Sequence, residues 1–382
     1  MRICVIGAGI MGLTIAYELS CRGHAVTIVE KDGPFAGASH RSFAWINANN
    51  KQPASYHRLN SLAVQEHRRF QDDFPSNTRW LSMSGNVLVD FSENRPHTYS
   101  GRMQDAKHYG STVYELDREQ LVEREPAVDW PPAVDGALFF PDEGYLENDL
   151  LREELLTQLD SKGVEIQRSI VEKVTSTSRG ASVHTSVGEH NFDQVVIAAG
   201  AGSSVLAQQS GFRIPLADLS QPSPRTHSLL GLSEMTDVEL THVIISNQIN
   251  VRPRHDGRIW VQVPTVEHRV VEGESSALLE EIGAVMEDEL VRLFRTQVAI
   301  DRVFFSGRSF PEDGSSIVGH VDDAQRVYAA VTHSGMTLAP LIARLTAEEL
   351  DGKASPLLKD FRPSRFMHGI ERVTEPNSIG RQ

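Results

Sequence analysis

The first thirty residues contain the pattern that most restricts how this chain can fold. An apolar strand leads into a Gly-x-Gly-x-x-Gly turn at Gly7, Gly9 and Gly12, a helix follows, and a second strand ends at Glu30. Gly7 permits the tight turn, Gly9 admits a pyrophosphate close to the backbone, and Gly12 lets the helix pack closely on the strand. The helix N-terminus faces the anion, and Glu30 is placed to accept hydrogen bonds from a ribose diol. Residues 3–30 are therefore predicted to form a βαβ unit that binds an adenine dinucleotide.

The charge balance narrows the range of partners. The 382 residues include 37 basic and 51 acidic side chains, which gives a net charge of −14. This balance argues against nucleic acid or an anionic membrane as the main partner. No apolar run reaches the ~20 residues that a membrane-spanning helix requires, so we expect no transmembrane segment.

Cysteine usage restricts the compartment and the cofactor chemistry. Cys4 and Cys21 are the only cysteines in the sequence, so a disulfide framework or a zinc-type cysteine spacing is not available. This usage is typical of a reducing compartment, and we expect a cytoplasmic protein without a metal site. Because no cysteine follows residue 21, attachment of a flavin through a C-terminal cysteine is excluded.

Hydrophobic periodicity predicts an α/β chain in which helices alternate with short strands. Apolar residues at helical spacing predict the helices, short alternating or fully apolar runs predict the strands, and His255-Asp256-Gly257 is a hairpin signal. The predicted helices cover residues 55–74, 149–159, 274–296 and 337–350, and the predicted strands include 85–91, 164–166, 170–174, 192–200, 241–251 and 258–263.

The chain is long enough to bury more than one core and is predicted to form two domains. The pattern typical of the nucleotide-binding unit is interrupted twice by runs that predict a separate layer. We therefore assign residues 1–80, 145–211 and 302–382 to a dinucleotide-binding domain, and residues 81–144 and 212–301 to a substrate-binding domain.

Two further segments place small residues after buried strands. Residues 195–202 alone indicate only a buried strand and a turn, but beside the first motif they let a second backbone pass close to the dinucleotide. Residues 307–319 precede a strand, a glycine turn and a helix start within residues 327–340. N–H groups at such a helix start can stabilise negative charge on the N1/C2=O edge of a reduced flavin. These segments favour FAD over a nicotinamide dinucleotide.

On these motifs the chain resembles the D-amino-acid oxidase family of FAD-dependent oxidoreductases, a group that includes glycine oxidase, sarcosine oxidase and D-amino-acid dehydrogenase. The resemblance covers residues 1–75, 145–210 and 302–360, and the remaining pieces match only loosely. It implies a glutathione-reductase-like Rossmann domain that binds FAD, without a covalent link. It also implies an inserted α+β substrate domain whose antiparallel sheet covers the flavin.

The resemblance assigns the cofactor contacts residue by residue. The first fingerprint and its acid match the ADP site, and the next loop matches the one beside the pyrophosphate, although His40 replaces the glycine common there. Later segments match the contacts to the adenine, to the dinucleotide and to the pyrimidine edge of the flavin. The implied FAD contacts are Gly7, Gly9, Ile10, Met11, Gly12, Glu30, Lys31, Ser39, Arg41, Ser42, Val171, Gly200, Gly335, Met336 and Thr337.

The candidate substrate contacts each have a structural alternative. Arg308 matches an arginine that binds the substrate carboxylate in amino-acid-oxidising members, and a structural ion pair is its alternative role. His333 either tunes the flavin or contacts substrate, or it caps the helix start or fills the core. Trp45 and Asn47 either border the flavin ring or pack in the interior. Arg252, near the hairpin, either assists with a substrate charge or lies on a solvated sheet face.

The implied reaction is oxidation of the Cα–N bond of an amino acid or a related carboxylated amine. Hydride would pass from Cα to flavin N5, and the imine would hydrolyse to a keto acid. No side-chain base is assigned, because the flavin carries the difficult chemistry and the sequence offers no convincing candidate. Oxygen and other electron acceptors are both compatible with the motifs.

Two alternatives remain open at this point. An FAD-dependent dehydrogenase of 2-hydroxy acids or polyol phosphates would also place an arginine over the ring and would often need a histidine base. A flavin-binding subunit without turnover of its own would need no substrate site. Arg308 and the complete flavin loop both argue against the second alternative.

Overall fold

The computed structural model describes residues 1–91 and 96–368. Its strands are β1 (Arg2–Ile6), β2 (Ala25–Glu30), β3 (Trp45–Ile46), β4 (Leu81–Ser82), β5 (Asn86–Val89), β6 (Tyr114–Asp117), β7 (Gly136–Phe140), β8 (Gly144–Leu146), β9 (Glu165–Arg168), β10 (Val171–Thr177), β11 (Gly180–Thr185), β12 (Gly188–Phe192), β13 (Gln194–Ile197), β14 (His227–Ser233), β15 (Val243–Ser246), β16 (Asn250–Pro253), β17 (Ile259–Gln262), β18 (Ile300–Gly307), β19 (Ile317–His320) and β20 (Val327–Val331).

The helices confirm the helical predictions, with ends that differ by only a few residues. The α-helices are α1 (Ile10–Cys21), α2 (Ala54–Asp72), α3 (Pro96–Tyr109), α4 (Arg118–Arg124), α5 (Asn148–Ser161), α6 (Gly202–Ser210), α7 (Ser276–Phe294) and α8 (Gly335–Leu350). Short 3-10 helices lie at Pro264–Glu272, Pro356–Phe361 and Pro363–His368. Among the described helices, none combines the length and the apolar composition needed to cross a membrane.

A six-stranded sheet in the order β19-β20-β13-β1-β2-β9 forms the nucleotide-binding layer. Its strands are parallel except β19, which is antiparallel to β20 at one edge. The central β1 sends Ile3 and Val5 into a core shared with α1, α2 and α8. Cys4 and Ile6, on the opposite face, join a core shared with β10, β11 and α6. Burial on both faces explains the nearly continuous apolar runs of these strands and confirms the predicted α/β fold with its βαβ unit.

An eight-stranded sheet in the order β18-β14-β17-β16-β15-β5-β7-β6 forms the second large layer. Neighbouring strands are antiparallel except β5 and β15, which run in parallel. α7 covers one face, where Met286 and Leu290 pack against Val261. On the other face Trp260 lies in a cluster with Trp45, which belongs to the small sheet β3-β8-β4. This contact brings the second sheet close to the nucleotide-binding layer.

Two predicted boundaries differ from the structure. Residues 241–251, predicted as one alternating run, form β15 and β16, because the Ser246 hydroxyl accepts a hydrogen bond from the Ile249 N–H (2.9 Å) and closes a turn. The domain boundary placed at residue 302 falls inside β18, which pairs with β14 as far as Gly307. Strand pairing therefore assigns residues 302–307 to the eight-stranded sheet. The remaining division into domains stays a proposal.

Candidate active site

A cavity of about 970 Å³ lies between the carboxyl ends of the parallel strands and the eight-stranded sheet. Parallel α/β sheets bind ligands at this edge, and the volume is near the upper end of the roughly 300–1,000 Å³ typical of ligand pockets. The residues predicted as site residues that line it are Gly7, Gly9, Ile10, Met11, Glu30, Lys31, Ser39, Arg41, Ser42, Trp45, Asn47, Val171, Gly200, Arg308, His333, Gly335, Met336 and Thr337. The structure thus brings together all of the predicted site residues except Gly12 and Arg252.

Close packing explains the spacing of the glycines in the first turn. Gly7 has φ +105°, and a Cβ on it would lie 2.5 Å from the Ala198 carbonyl oxygen. A Cβ on Gly12 would lie 1.9 Å from the Gly7 carbonyl oxygen. Gly12 therefore lies behind the cavity and brings α1 against the turn, while Gly9, Ile10 and Met11 carry the helix N-terminus into the cavity wall.

The Glu30 carboxylate is held at the end of β2 by backbone donors. Ala8 N–H donates to Oε2 (2.7 Å), and Asp32 N–H donates to Oε1 (2.9 Å). Two such bonds fix the carboxylate while it keeps acceptor capacity for a ribose hydroxyl. The adjacent Lys31 is exposed and pairs with Asp32 at 3.3 Å. Glu30 thus occupies the position that the fingerprint requires of its acid.

The loop after β2 is tied to both layers. The Ile10 N–H, in the first turn of α1, donates to Ser39 Oγ (3.0 Å), and the Ala44 N–H donates to Ser42 Oγ (3.0 Å). From the eight-stranded sheet, the Ser306 hydroxyl donates to the Arg41 carbonyl (2.8 Å). These bonds place the loop beside the helix N-terminus, where the positive end of the helix dipole favours an anion.

The N-terminus of α8 is held by hydrogen bonds to α2 and to the segment that contains β3. The His67 Nε2–H of α2 donates to the carbonyls of Met336 (2.9 Å) and Thr337 (3.0 Å). Burial lowers the pKa of His67 to about 4, so this imidazole is a neutral donor. The Thr337 hydroxyl donates to the Trp45 carbonyl and accepts from the Asn47 N–H, each at 3.4 Å. His67 lies within the predicted helix 55–74, but nothing in the sequence marked it as a site residue.

The donors and acceptors present fit FAD. Trp45 Nε1 and Asn47 Oδ1 are buried polar atoms without a hydrogen-bond partner within residues 1–91 and 96–368, and both residues line the cavity. Buried polar atoms are normally paired, and a flavin ring carries both carbonyl and N–H groups. The helix N-terminus at Gly9 and the Glu30 carboxylate supply the complementary contacts for the pyrophosphate and the ribose.

Arg308, immediately after β18, is anchored in the cavity wall by backbone carbonyls. Its Nε–H donates to the Arg225 carbonyl (3.0 Å), and Nη2–H donates to the Pro224 carbonyl (2.9 Å). The side chain is half-buried and lines the same cavity as Gly335–Thr337. These two bonds fix the plane of the guanidinium in the part of the cavity wall that the eight-stranded sheet forms.

His333 is a neutral cavity residue held by its neighbours. Its ring stacks on Phe310 with centroids 4.7 Å apart, and Nε2–H donates to the Gly314 carbonyl (3.0 Å). Burial, and then the charges of Lys51 and Arg308, lower the pKa of His333 to about 3. The imidazole is held by structural contacts and also lines the cavity. A structural role and a contact with flavin or substrate are therefore compatible.

The comparison with protein families decides the assignment. A family model described as DAO, FAD dependent oxidoreductase, matches residues 2–349. The chain belongs to the DAO family. It is therefore an FAD-dependent oxidoreductase, as the glycine turn and the α8 N-terminus predicted.

Several known proteins of this family resemble the chain along its length. Glycine oxidase from Geobacillus kaustophilus is 24% identical across 97% of this chain and 98% of that protein. The bifunctional protein ThiO/ThiG from Synechocystis sp. is 24% identical across 96% of this chain, which spans 54% of that relative's length. The crystal structure of the Geobacillus kaustophilus glycine oxidase superposes with a TM-score of 0.82 at 20% identity, over 96% of this chain and 99% of that chain.

On the sheet side of this DAO-family cavity, Arg308 is the residue that the sequence identified, and its neighbours were not identified. We call this side the sheet wall. It consists of His227, Ser228, Leu230, Gln262, Phe305, Ser306, Gly307 and Arg308, from β14, β17 and β18 and the residue that follows. Lys51 and Glu274 also line the cavity. Of its three strands, alternation predicted only β17, within residues 258–263, and it gave no sign of which face would meet the dinucleotide-binding domain.

The prediction that Arg252 contributes to the substrate pocket is wrong. Arg252 is 0% exposed and does not line the cavity. Its Nε–H donates to the Phe43 carbonyl, its Nη1 lies 3.6 Å from Glu147 Oε2, and its guanidinium stacks over Tyr145. The solvated sheet face considered as the alternative is also wrong, because Phe43, Tyr145 and Glu147 enclose the side chain. Arg252 is instead a buried structural cation.

Proposed function

We propose that this DAO-family protein oxidises the Cα–N bond of an amino acid or a related carboxylated amine. The observation that carries the proposal is the position of Arg308, whose guanidinium lines the cavity that also contains the N-terminus of α8. A planar guanidinium binds a carboxylate through two parallel hydrogen bonds. An amine whose carboxylate is held there is oriented with its Cα toward the flavin end of the cavity.

The protein residues supply orientation and electrostatics. The chemistry that FAD would supply in this cavity is acceptance of the hydride from Cα. The amine nitrogen loses a proton as the C=N bond forms, and water then converts the imine to a keto acid and ammonia or a smaller amine. The N–H groups at Gly335–Thr337 belong to the positive end of α8 and would stabilise negative charge on a reduced flavin.

The charge state of His333 supports a mechanism without a histidine base. Its Nε2–H is engaged with the Gly314 carbonyl, and its pKa of about 3 makes it too weak a base to draw a proton from an ammonium group at neutral pH. We propose that the substrate reacts in its neutral amine form. We expect the rate of flavin reduction at saturating substrate to rise with pH until the amine of the bound substrate is deprotonated.

Anaerobic reduction of the bound flavin tests the proposal. Amino acids, N-alkylated amino acids, 2-hydroxy acids and amines without a carboxylate are each mixed with the holoenzyme, and the loss of flavin absorbance is followed. Carboxylated amines should reduce the flavin, and Arg308→Ala should lower kcat/KM by roughly 100-fold or more. Arg302→Ala is a matched control, because this exposed β18 arginine lies outside the cavity wall. Reduction only by hydroxy acids, or an unaffected Arg308→Ala enzyme, would refute the proposal.

Admission of air to the reduced enzyme then identifies the electron acceptor. Rapid return of the oxidised spectrum would indicate an oxidase. A reduced flavin that persists in air, and is reoxidised by a quinone or an artificial dye, would indicate a dehydrogenase.

A further inference from the structure

Glu267 lies directly behind the sheet wall. It belongs to the 3-10 helix Pro264–Glu272, and its Oε1 accepts a hydrogen bond from the Leu229 N–H of β14 (3.0 Å). Ser228 and Leu230, on either side of Leu229, line the cavity, and the side chains of Ser228 and Gln262 favour the ionised form of the Glu267 carboxyl group. Glu267 is therefore bonded to the cavity-lining segment of β14 without lining the cavity itself.

Burial and the neighbouring groups have opposite effects on the pKa of the Glu267 carboxyl group. Burial raises the pKa of Glu267 to about 7, against the Leu229 N–H, the charge of Arg308 and the two wall side chains, which all favour the ionised form. A carboxyl group with this pKa changes charge near neutral pH, where the protein and its substrates meet. The electrostatic effect of the Glu267 carboxyl group on Arg308 therefore depends on whether Glu267 is protonated.

The other charged groups around Glu267 are few. On β14, His227 has a pKa lowered by burial and then by Arg308, so it is neutral near pH 7. Glu274, between the 3-10 helix and α7, is exposed at the cavity. On the same 3-10 helix, Arg269 pairs with Glu272 and with Glu281 of α7, and His268 is exposed. Arg308 is the cation whose charge acts on Glu267.

We propose that Glu267 is a positioning residue that sets how strongly Arg308 attracts an anionic substrate, an inference that rests on the carboxylate-binding role of Arg308. When Glu267 is protonated, the positive charge of Arg308 is available to the substrate carboxylate. When Glu267 is ionised, it offsets part of that charge and competes electrostatically with the substrate. By linkage, a carboxylate that binds at Arg308 raises the proton affinity of Glu267, so binding takes up a proton near neutral pH.

The test uses propionate as an unreactive carboxylate, with binding read from the absorption spectrum of the bound flavin. Propionate keeps its charge from about pH 6 to about pH 9, so a pH dependence belongs to the protein. For the wild-type holoenzyme we expect Kd to rise with pH through about 7. The total rise is about tenfold for each unit by which bound propionate raises the pKa of Glu267. Glu267→Gln, which keeps a hydrogen-bonding side chain, should give a flat profile with the tighter, low-pH affinity.

Two further variants make the result specific. Glu272→Gln removes an exposed carboxylate from the same 3-10 helix and should keep the wild-type profile. Glu267→Asp keeps the titrating group and should keep a pH dependence. A slope that persists in Glu267→Gln, or a wild-type profile that is already flat, would overturn the proposal. If Glu267→Gln does not fold, calorimetry of wild-type propionate binding in two buffers decides, since the proposal requires proton uptake near pH 7.

The outcomes also separate this inference from the proposed function. If Arg308→Ala binds propionate as tightly as the wild type, the carboxylate-binding role of Arg308 fails. If Arg308→Ala weakens binding while Glu267→Gln leaves the pH profile unchanged, only the role of Glu267 fails.

Discussion

Replacing Gly12 by alanine tests the packing on which the nucleotide site depends. The new Cβ would lie 1.9 Å from the Gly7 carbonyl oxygen and 2.9 Å from its carbonyl carbon. Ordinary van der Waals contact begins near 3.4 Å, so the two atoms must separate by about 1.5 Å. Because the obstructing atoms are backbone, α1 must move away from β1 or the turn must open. Overpacking of this kind costs roughly 3 kcal/mol, which corresponds to a fall in Tm of roughly 5 °C for a chain of this size.

The same movement should also weaken FAD binding strongly, although the fall in Tm is small. A displacement of 1.5 Å takes an N–H···O contact of about 2.9 Å well beyond hydrogen-bonding range. Each bond from a backbone N–H to a charged pyrophosphate contributes about 1.5–3 kcal/mol. The loss of two of them raises the Kd for FAD by at least roughly 100-fold. Titration of the apoprotein with FAD, followed by flavin fluorescence, measures Kd, and thermal melting of the apoprotein measures the packing cost separately.

Two other glycines provide matched controls. A Cβ on Gly9 meets only the Ser39 side-chain oxygen at 3.2 Å, so Gly9→Ala should keep the apoprotein Tm and still weaken FAD binding. A Cβ on Gly101, in α3, meets no atom within 4 Å, so Gly101→Ala should change neither quantity for the worse. Wild-type Tm and wild-type FAD affinity in Gly12→Ala would refute the packing argument.

Two further predictions concern buried charged groups. Arg252→Met should destabilise the fold by about 3–5 kcal/mol, because it leaves the Glu147 carboxyl group buried without its cation; Glu147→Gln in the same chain should recover part of the loss in thermal melts, and no recovery would contradict the pairing. The pKa of His67 is about 4, below the ~6.5 of an unfolded histidine, so its contribution is complete above about pH 6.5 and is lost as pH falls toward 4, by about 3 kcal/mol in all. His67→Gln, which does not titrate, should flatten the pH dependence of Tm in this range, and an unchanged slope would contradict the assignment.

The nucleotide half of the site could be predicted because its parts are close together in the sequence. Gly7, Gly12 and Glu30 lie within one βαβ unit, whose geometry follows from local turns and from the pairing of β1 with β2. The α8 N-terminus could be predicted for a similar reason, since the strand, glycine turn and helix are contiguous. His67 could not, because its two bonds to α8 depend on how α2 packs, and helical spacing reports only that a residue is buried.

Apart from Arg308, which the family resemblance identified, the sheet wall could not be predicted, because its residues come from strands that are far apart in the sequence. His227, Gln262 and Arg308 are brought together only by the order β18-β14-β17, which nothing local determines. Arg252 was predicted as a site residue and lies outside the cavity, for the same reason. Alternation along β16 places it on one of two faces, but only the position of the segments around β3 and β8 buries its side chain.

The structure also links the two halves of the site at one point of the chain. Near the end of β18, the Ser306 hydroxyl donates to the Arg41 carbonyl in the loop beside the predicted pyrophosphate position. Two residues later, the Arg308 N–H donates to the Thr226 carbonyl and its side chain enters the cavity. Arg308, the proposed carboxylate-binding residue, is therefore positioned relative to this loop through three consecutive residues. The Pro224 and Arg225 carbonyls hold its guanidinium, so the segment before β14 and the end of β18 together determine where this side chain lies.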